Sequence, residues 1–184
     1  IREPYRLMTI ASADAPLKGL ALLLRAIASL RSSYPDIRLT LVGRPKPGGD
    51  TEKLIASLGL ADVVESFKGI SHEEMVQKYA SASVAVVPSI YEGFGLPAVE
   101  AMACGVPLVS TDGGALAEVV ADAGLVVPAG DSEALAAAIH QLFEDDQLRD
   151  DYASRGLSRA EQHFCWNRCA ERMETYYRER IAAC

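Results

Sequence analysis

The sequence has no long apolar run, no basic run longer than a pair and no Cys-x-x-Cys pair. Each absence removes a class of function. A membrane-crossing helix needs ~20 consecutive, mostly apolar residues, and no stretch approaches that. General nucleic-acid binding draws on clustered Lys and Arg, whereas here 18 basic residues face 25 acidic ones, for a net charge of −7. An anionic ligand must then be met locally, by backbone N–H groups and a few placed cations. Cysteine is scarce: Cys104, Cys165, Cys169 and Cys184. Cys165 and Cys169 would share one helix face at a spacing of four, but two ligands do not make a zinc site. All are read as free thiols of a reducing compartment. His72, His140 and His163 lack partners at metal-ligand spacing and are read as structural or solvent-facing. No signal peptide is visible. The expected compartment is the cytoplasm, extending to the cytoplasmic face of the membrane for a full-length protein. The opening residue is Ile1, not Met, and the chain reads as a piece cut from something longer.

What is present is an ordinary globular composition, 184 residues with 49% hydrophobic and 23% charged. That length suits one domain spanning residues 1–184, able to bury a core without metal or disulfides. Short apolar segments bounded by turn residues fall at 5–10, 37–42, 63–67, 84–88, 107–110 and 125–127. They read as parallel strands buried on both faces. Between them Leu20, Leu23, Leu24, Ile27 and Leu30 trace one helical stripe. Ser71-x-x-Glu74 is a capping box ahead of Met75, Val76 and Tyr79. Pro97 suits the first position of a helix ending near Cys104, and Asp131 or Ser132 can cap another. Beyond Asp145 only helix-forming sequence remains. The pattern predicts an α/β fold: a Rossmann-like, doubly wound parallel sheet of about six strands flanked by helices, with an all-helical C-terminal tail. Ligands of such sheets bind beyond the carboxyl ends of the strands. A nicotinamide dehydrogenase would need Gly-x-Gly-x-x-Gly after the first strand, where this chain reads Ala11-Ser12-Ala13-Asp14-Ala15-Pro16. That class is excluded. Asp14 and Asp112, in strand-end loops, are weak site candidates, and Trp166, Tyr176 and Tyr177 are read as packing residues.

The informative stretch is 91–105, Tyr-Glu-Gly-Phe-Gly-Leu-Pro-Ala-Val-Glu-Ala-Met-Ala-Cys-Gly. A buried strand ends at Pro88, two glycines bracket Phe94, Pro97 opens a helix and Glu100 sits in its first turn. Gly93 and Gly95 let the backbone approach a ligand closely. Free N–H groups at the helix start form an anion site backed by the helix dipole, fit for a diphosphate. Glu100 can accept two hydrogen bonds from a vicinal diol such as a ribose. Glu92 can reach hydroxyls beyond the phosphates. Singly, each residue has a plainer reading, Phe94 as core and the glycines as turns. Together they outline a nucleotide-sugar site.

The segment resembles the Glu-x7-Glu signature of retaining glycosyltransferases with the two-domain GT-B fold, especially glycosyltransferase family 4. The likeness extends to Leu17-Lys18-Gly19-Leu20, Phe67-x-Gly69, Val87-Pro88-Ser89, Gly113-Gly114-x-x-x-Glu118 and Phe164-x-Trp166, in order along the chain. The resemblance implies a donor-binding domain for a nucleoside diphosphate sugar, UDP- or GDP-linked. Glu100 would hold the ribose, and Glu92 and the backbone of Gly93, Phe94 and Gly95 the sugar. Leu96 and the neighbourhood of Pro97 would meet the phosphates, and Lys18 would neutralise the departing diphosphate. Loops at Gly43-Arg44 and Lys68-Gly69-Ile70 would flank the base. No metal or other cofactor is expected, since a Lys and helix-terminal N–H groups can carry the developing charge and no Asp-x-Asp motif is present.

One position departs from the pattern. Where many members carry an Arg six residues before the Lys, this chain has Ser12, and Arg44 is a candidate replacement. The resemblance also covers only the C-terminal half of such an enzyme. The acceptor-binding domain would belong to the rest of the protein, the helix at about 168–181 would run back toward it, and the acceptor is undefined. The chain alone is then expected to bind donor without transferring sugar. The alternative is a nucleotide-sugar-binding module of the same fold without catalysis.

Overall fold

The structure is a computed structural model that describes residues 2–11 and 15–182. Ser12 and Asp14, singled out above, and Cys184 lie outside the described residues. Six strands form one parallel sheet: β1 (Arg6–Ile10), β2 (Arg38–Val42), β3 (Val64–Phe67), β4 (Val84–Val87), β5 (Leu108–Thr111) and β6 (Leu125–Val127). Their order is β3-β2-β1-β4-β5-β6. Each lies within a residue of its expected segment. The expected burial on both faces holds fully for β4 and β5. It fails at the edges: Glu65 and Ser66 of β3 and Val126 of β6 are exposed. An edge strand has a neighbour on one side only, so more of its side-chain surface stays in water. There Glu65 meets Arg6 at 3.0 Å.

Helices cover both faces, because a parallel sheet has two apolar sides to bury. On one face α1 (Leu20–Leu30) and α6 (Ser132–Glu144) pack together, with α2 (Asp50–Ser57) beside them. The stripe of α1 is buried as read, with Leu23, Leu24 and Ile27 at 0% exposure. The other face carries α3 (His72–Ser81), α4 (Leu96–Ala103), α5 (Leu116–Val120) and α7 (Asp146–His163). The capping box at Ser71 and Glu74 forms, and Asp131, not Ser132, caps α6. The tail ends in α8 (Trp166–Ala182), which has no buried residue. Trp166, Tyr176 and Tyr177 are therefore exposed, at 88%, 53% and 55%, and do not pack into a core as expected.

The strand order decides where a site can lie. The connection leaving β1 runs toward β2 and the one leaving β4 runs toward β5. Neighbouring strands β1 and β4 thus send their chains in opposite directions, and a crevice opens between their carboxyl ends.

Candidate functional site

Two segments line that crevice, and backbone bonds lock them together. After β1 a 3-10 turn (Pro16–Lys18) ends at Gly19, whose left-handed conformation (φ 65°) starts α1. Leu17 oxygen accepts from Ile90 N–H at 2.8 Å, on the segment after β4. A Cβ at Gly19 would stand 1.8 Å from Pro88 oxygen, so only glycine permits this approach. The turn delivers Lys18 to the crevice. Its Nζ lies 2.9 Å from Glu92 Oε1 and 2.8 Å from Oε2. Ser89 Oγ donates to the same carboxylate at 3.1 Å.

A third segment buttresses the second from behind. Thr111 Oγ1 at the end of β5 donates to Ser89 oxygen, and Ala115 N–H donates to Glu92 oxygen at 3.0 Å. Between them Gly114 adopts φ +67°, with the space for a Cβ already taken by Glu92 oxygen at 2.3 Å. The Gly113-Gly114 pair is thereby explained as support for the glycine loop. Asp112, a weak candidate above, is occupied structurally, its Oδ1 accepting from Ala129 N–H at 2.7 Å.

Gly95 N-caps α4, with Leu96 and Pro97 as the first two helical positions. Proline suits the first turn, where its missing N–H leaves no bond unmade. Gly95 oxygen accepts from Ala98 and Val99. Among the described residues no acceptor pairs the backbone N–H of Gly93, Phe94, Gly95 or Leu96. These donors, with the positive end of the helix dipole behind them, are arranged as an anion site would require, in a chain of net charge −7. Glu100 stands one position beyond the first turn, not within it as read from the sequence; no acidic residue occupies that turn.

One cleft of about 460 Å³ is lined by Ile10, Lys18, Met75, Glu92, the backbone run from Gly93 to Pro97, and Glu100. Seven of the predicted residues, Lys18, Glu92, Gly93, Phe94, Gly95, Leu96 and Glu100, therefore meet in one place. Phe94 is 47% exposed and touches Phe164 edge-on, with ring centroids 5.9 Å apart. Arg44 and Gly69 do not line the cleft. They stand outside it in the loops after β2 and β3, on the same carboxyl edge of the sheet. Those loops are tied together by Gly43 N–H donating to Phe67 oxygen at 2.8 Å. Among the described residues no group of three or more His, Cys, Asp or Glu gathers as metal ligands. Cys104, Cys165 and Cys169 are free thiols.

Sequence reasoning missed Tyr79. On α3 it read as one more apolar position, yet its hydroxyl reaches Glu100 Oε2 and Pro97 oxygen, each at 3.2 Å. Burial, with the nearby Glu100 charge and its hydrogen bond, raises the phenol pKa well above the usual tyrosine value. Met75 and Ile10, cleft-wall residues, were likewise hidden among core patterns. A tyrosine in an otherwise apolar stripe is the one signal that could have found Tyr79, because a buried hydroxyl requires a partner.

The family model described as glycosyl transferases group 1 matches residues 1–159. The MMP alpha-(1->4)-mannosyltransferase of Mycolicibacterium hassiacum is 45% identical over 190 residues, covering 100% of this chain and 46% of that protein. Sucrose-phosphate synthase from Thermosynechococcus elongatus superposes with a TM-score of 0.83 at 34% identity, over 99% of this chain and 46% of that one. HepE of Anabaena, solved in complex with UDP-glucose, gives 0.81 at 25% identity, over 99% of this chain and 50% of its own. This chain thus spans about half the length of the relatives it matches.

Proposed function

The chain belongs to the glycosyl transferases group 1 family, and we propose on that premise that it supplies the donor site for retaining glycosyl transfer from a nucleoside diphosphate sugar. The observation that carries the reading is the single cleft at the β1/β4 switch point, where Lys18, Glu92, the unpaired N–H groups ahead of α4 and Glu100 converge. Glu100 takes the ribose diol. The N–H groups of the glycine loop and the start of α4 take the diphosphate. Glu92 takes hydroxyls of the donor sugar. The HepE complex with UDP-glucose supports a donor of this class, UDP- or GDP-linked.

The chemistry then follows from charge. The bond from the anomeric carbon to the diphosphate oxygen breaks, and its electron pair leaves with the diphosphate. The anomeric carbon becomes oxocarbenium-like until the acceptor hydroxyl bonds on the same face, which retains configuration, and its proton passes to the departing diphosphate oxygen. Negative charge grows on the diphosphate, where Lys18 and fixed backbone dipoles are already aimed. No divalent metal is required for that stabilisation. In the structure Lys18 is held by Glu92. An arriving diphosphate draws the ammonium toward itself and releases carboxylate oxygens for the sugar. The acceptor-binding part of the enzyme belongs to the remainder of the protein, so this chain alone binds donor and transfers nothing.

Calorimetric titration with UDP, GDP, ADP and their sugars tests this. At least one binds, and Glu100→Ala weakens it about tenfold or more, as expected for losing hydrogen bonds to a charged group. A chain that binds none of them, or a Glu100→Ala variant that binds as the parent does, sinks the assignment.

A further inference from the structure

Glu100 lies on an exposed side of α4, where a carboxylate ordinarily samples several rotamers. Here it is restrained from beneath. Tyr79 is 3% exposed, within the core cluster that includes Met8, Ala98, Ala101 and Met102. Its hydroxyl lies 3.2 Å from Glu100 Oε2 and 3.2 Å from Pro97 oxygen, a three-centre arrangement spanning the first turn of α4 and the residue beyond it. Such a buried phenol stays a donor, and a carboxylate is a strong acceptor for it. Met75, one helical turn before Tyr79 on α3, forms part of the cleft wall.

We infer that Tyr79 is a positioning residue for donor binding: its hydroxyl occupies Glu100 Oε2 and fixes the carboxylate, leaving Oε1 to receive the ribose hydroxyls. This rests on reading Glu100 as the ribose contact. The ordering that a free side chain would undergo on binding is completed beforehand, in the empty site. Helix α3 then has two duties at the cleft, a wall at Met75 and a clamp at Tyr79.

The test is ribose preference, the ratio of affinities for a nucleoside diphosphate and its 2′,3′-dideoxy counterpart, using whichever of UDP, GDP and ADP the chain binds. Tyr79→Phe keeps the ring and removes the bond. It is expected to weaken the ribonucleotide about tenfold and to leave the dideoxy form within about twofold. Glu100→Ala loses the same preference, and adding Tyr79→Phe to it costs nothing more. If Tyr79→Phe weakens both ligands equally, Tyr79 is only a packing residue and the inference falls. A further loss of preference in the double variant overturns it as well. A second leg does not depend on folding of the Phe variant. Site-specific Tyr79→3-fluorotyrosine keeps ring and hydroxyl and must keep the preference. Its fluorine resonance must shift with the ribonucleotide and not with the dideoxy form; equal shifts overturn the inference. A parent chain that binds none of the three overturns the donor reading and this inference with it. A parent that binds without ribose preference overturns the Glu100 assignment and this inference with it, and leaves the donor reading standing.

Discussion

Replacing Gly114 by alanine is expected to damage the proposed donor site more than the fold. Two effects act at that position. The left-handed conformation, φ +67°, costs an L-residue about 1–2 kcal/mol. For a domain of this size that lowers Tm by roughly 2–8 °C. The second effect is a collision. The new Cβ would lie 2.3 Å from Glu92 oxygen, 3.0 Å from Glu92 nitrogen and 3.1 Å from Glu92 carbonyl carbon, all backbone atoms. Relief to ordinary contact requires the glycine loop to retreat by about 1 Å. Displacements of that size at a site can cost on the order of 100-fold. The loop carries Glu92 and the free N–H groups, so affinity for a nucleoside diphosphate is expected to fall by about that factor. Gly130→Ala is the control. Gly130 has φ +90°, and a Cβ added there would meet nothing within 4 Å, so it shares the strain without the collision. Calorimetry and thermal melts on both variants separate the effects. Equal affinities in the two variants, with equal losses of Tm, would refute the claim that Gly114 exists to admit the Glu92 backbone.

Lys18→Ala removes the only cation lining the cleft among the described residues. Nucleoside diphosphate affinity is expected to drop about 10- to 100-fold, while the unphosphorylated nucleoside binds as before; equal losses for both would mean that Lys18 does not serve the phosphates. Binding of the diphosphate is expected to be unchanged by EDTA, and strict dependence on a divalent ion would overturn the metal-free reading. Alkaline stability should depend on Tyr34. Its burial, with the hydrogen bond to Glu144 at 2.6 Å, pushes the phenol from its ordinary 10.0 up to about 12. Below pH 10.0 both folded and unfolded chains keep this group neutral, so its contribution is fully present there. As pH rises toward about 12 the unfolded chain ionises first, and that stability is lost. Denaturant titrations across that window should show a shallower fall for Tyr34→Phe than for the parent.

Much of the architecture was legible in the linear order of residues. The stripe from Leu20 to Leu30, the Ser71 capping box and six short apolar segments act over a few residues each, within reach of local periodicity. The edge positions of β3 and β6 were not legible, because strand order is a property of pairing, not of any one segment. The exposed faces of α8 escaped for a related reason: an aromatic residue packs only if something lies opposite it, and Trp166 has no such neighbour among the described residues.

The stretch from Tyr91 to Gly105 by itself determined the kind of site proposed, since closely spaced glycines, a helix start and two glutamates carry their chemistry in local backbone geometry. Tertiary structure decided the rest. Lys18 meets Glu92 across 74 positions, Tyr79 meets Glu100 across 21, and Thr111 meets Ser89 across 22. Such contacts exist only once β1, β4 and β5 lie side by side and the chain leaves β1 and β4 in opposite directions. The sequence names the groups proposed to bind a donor. The sheet brings them to one cleft, because hydrogen bonds and ion pairs act over a few ångströms of space, whatever the distance along the chain.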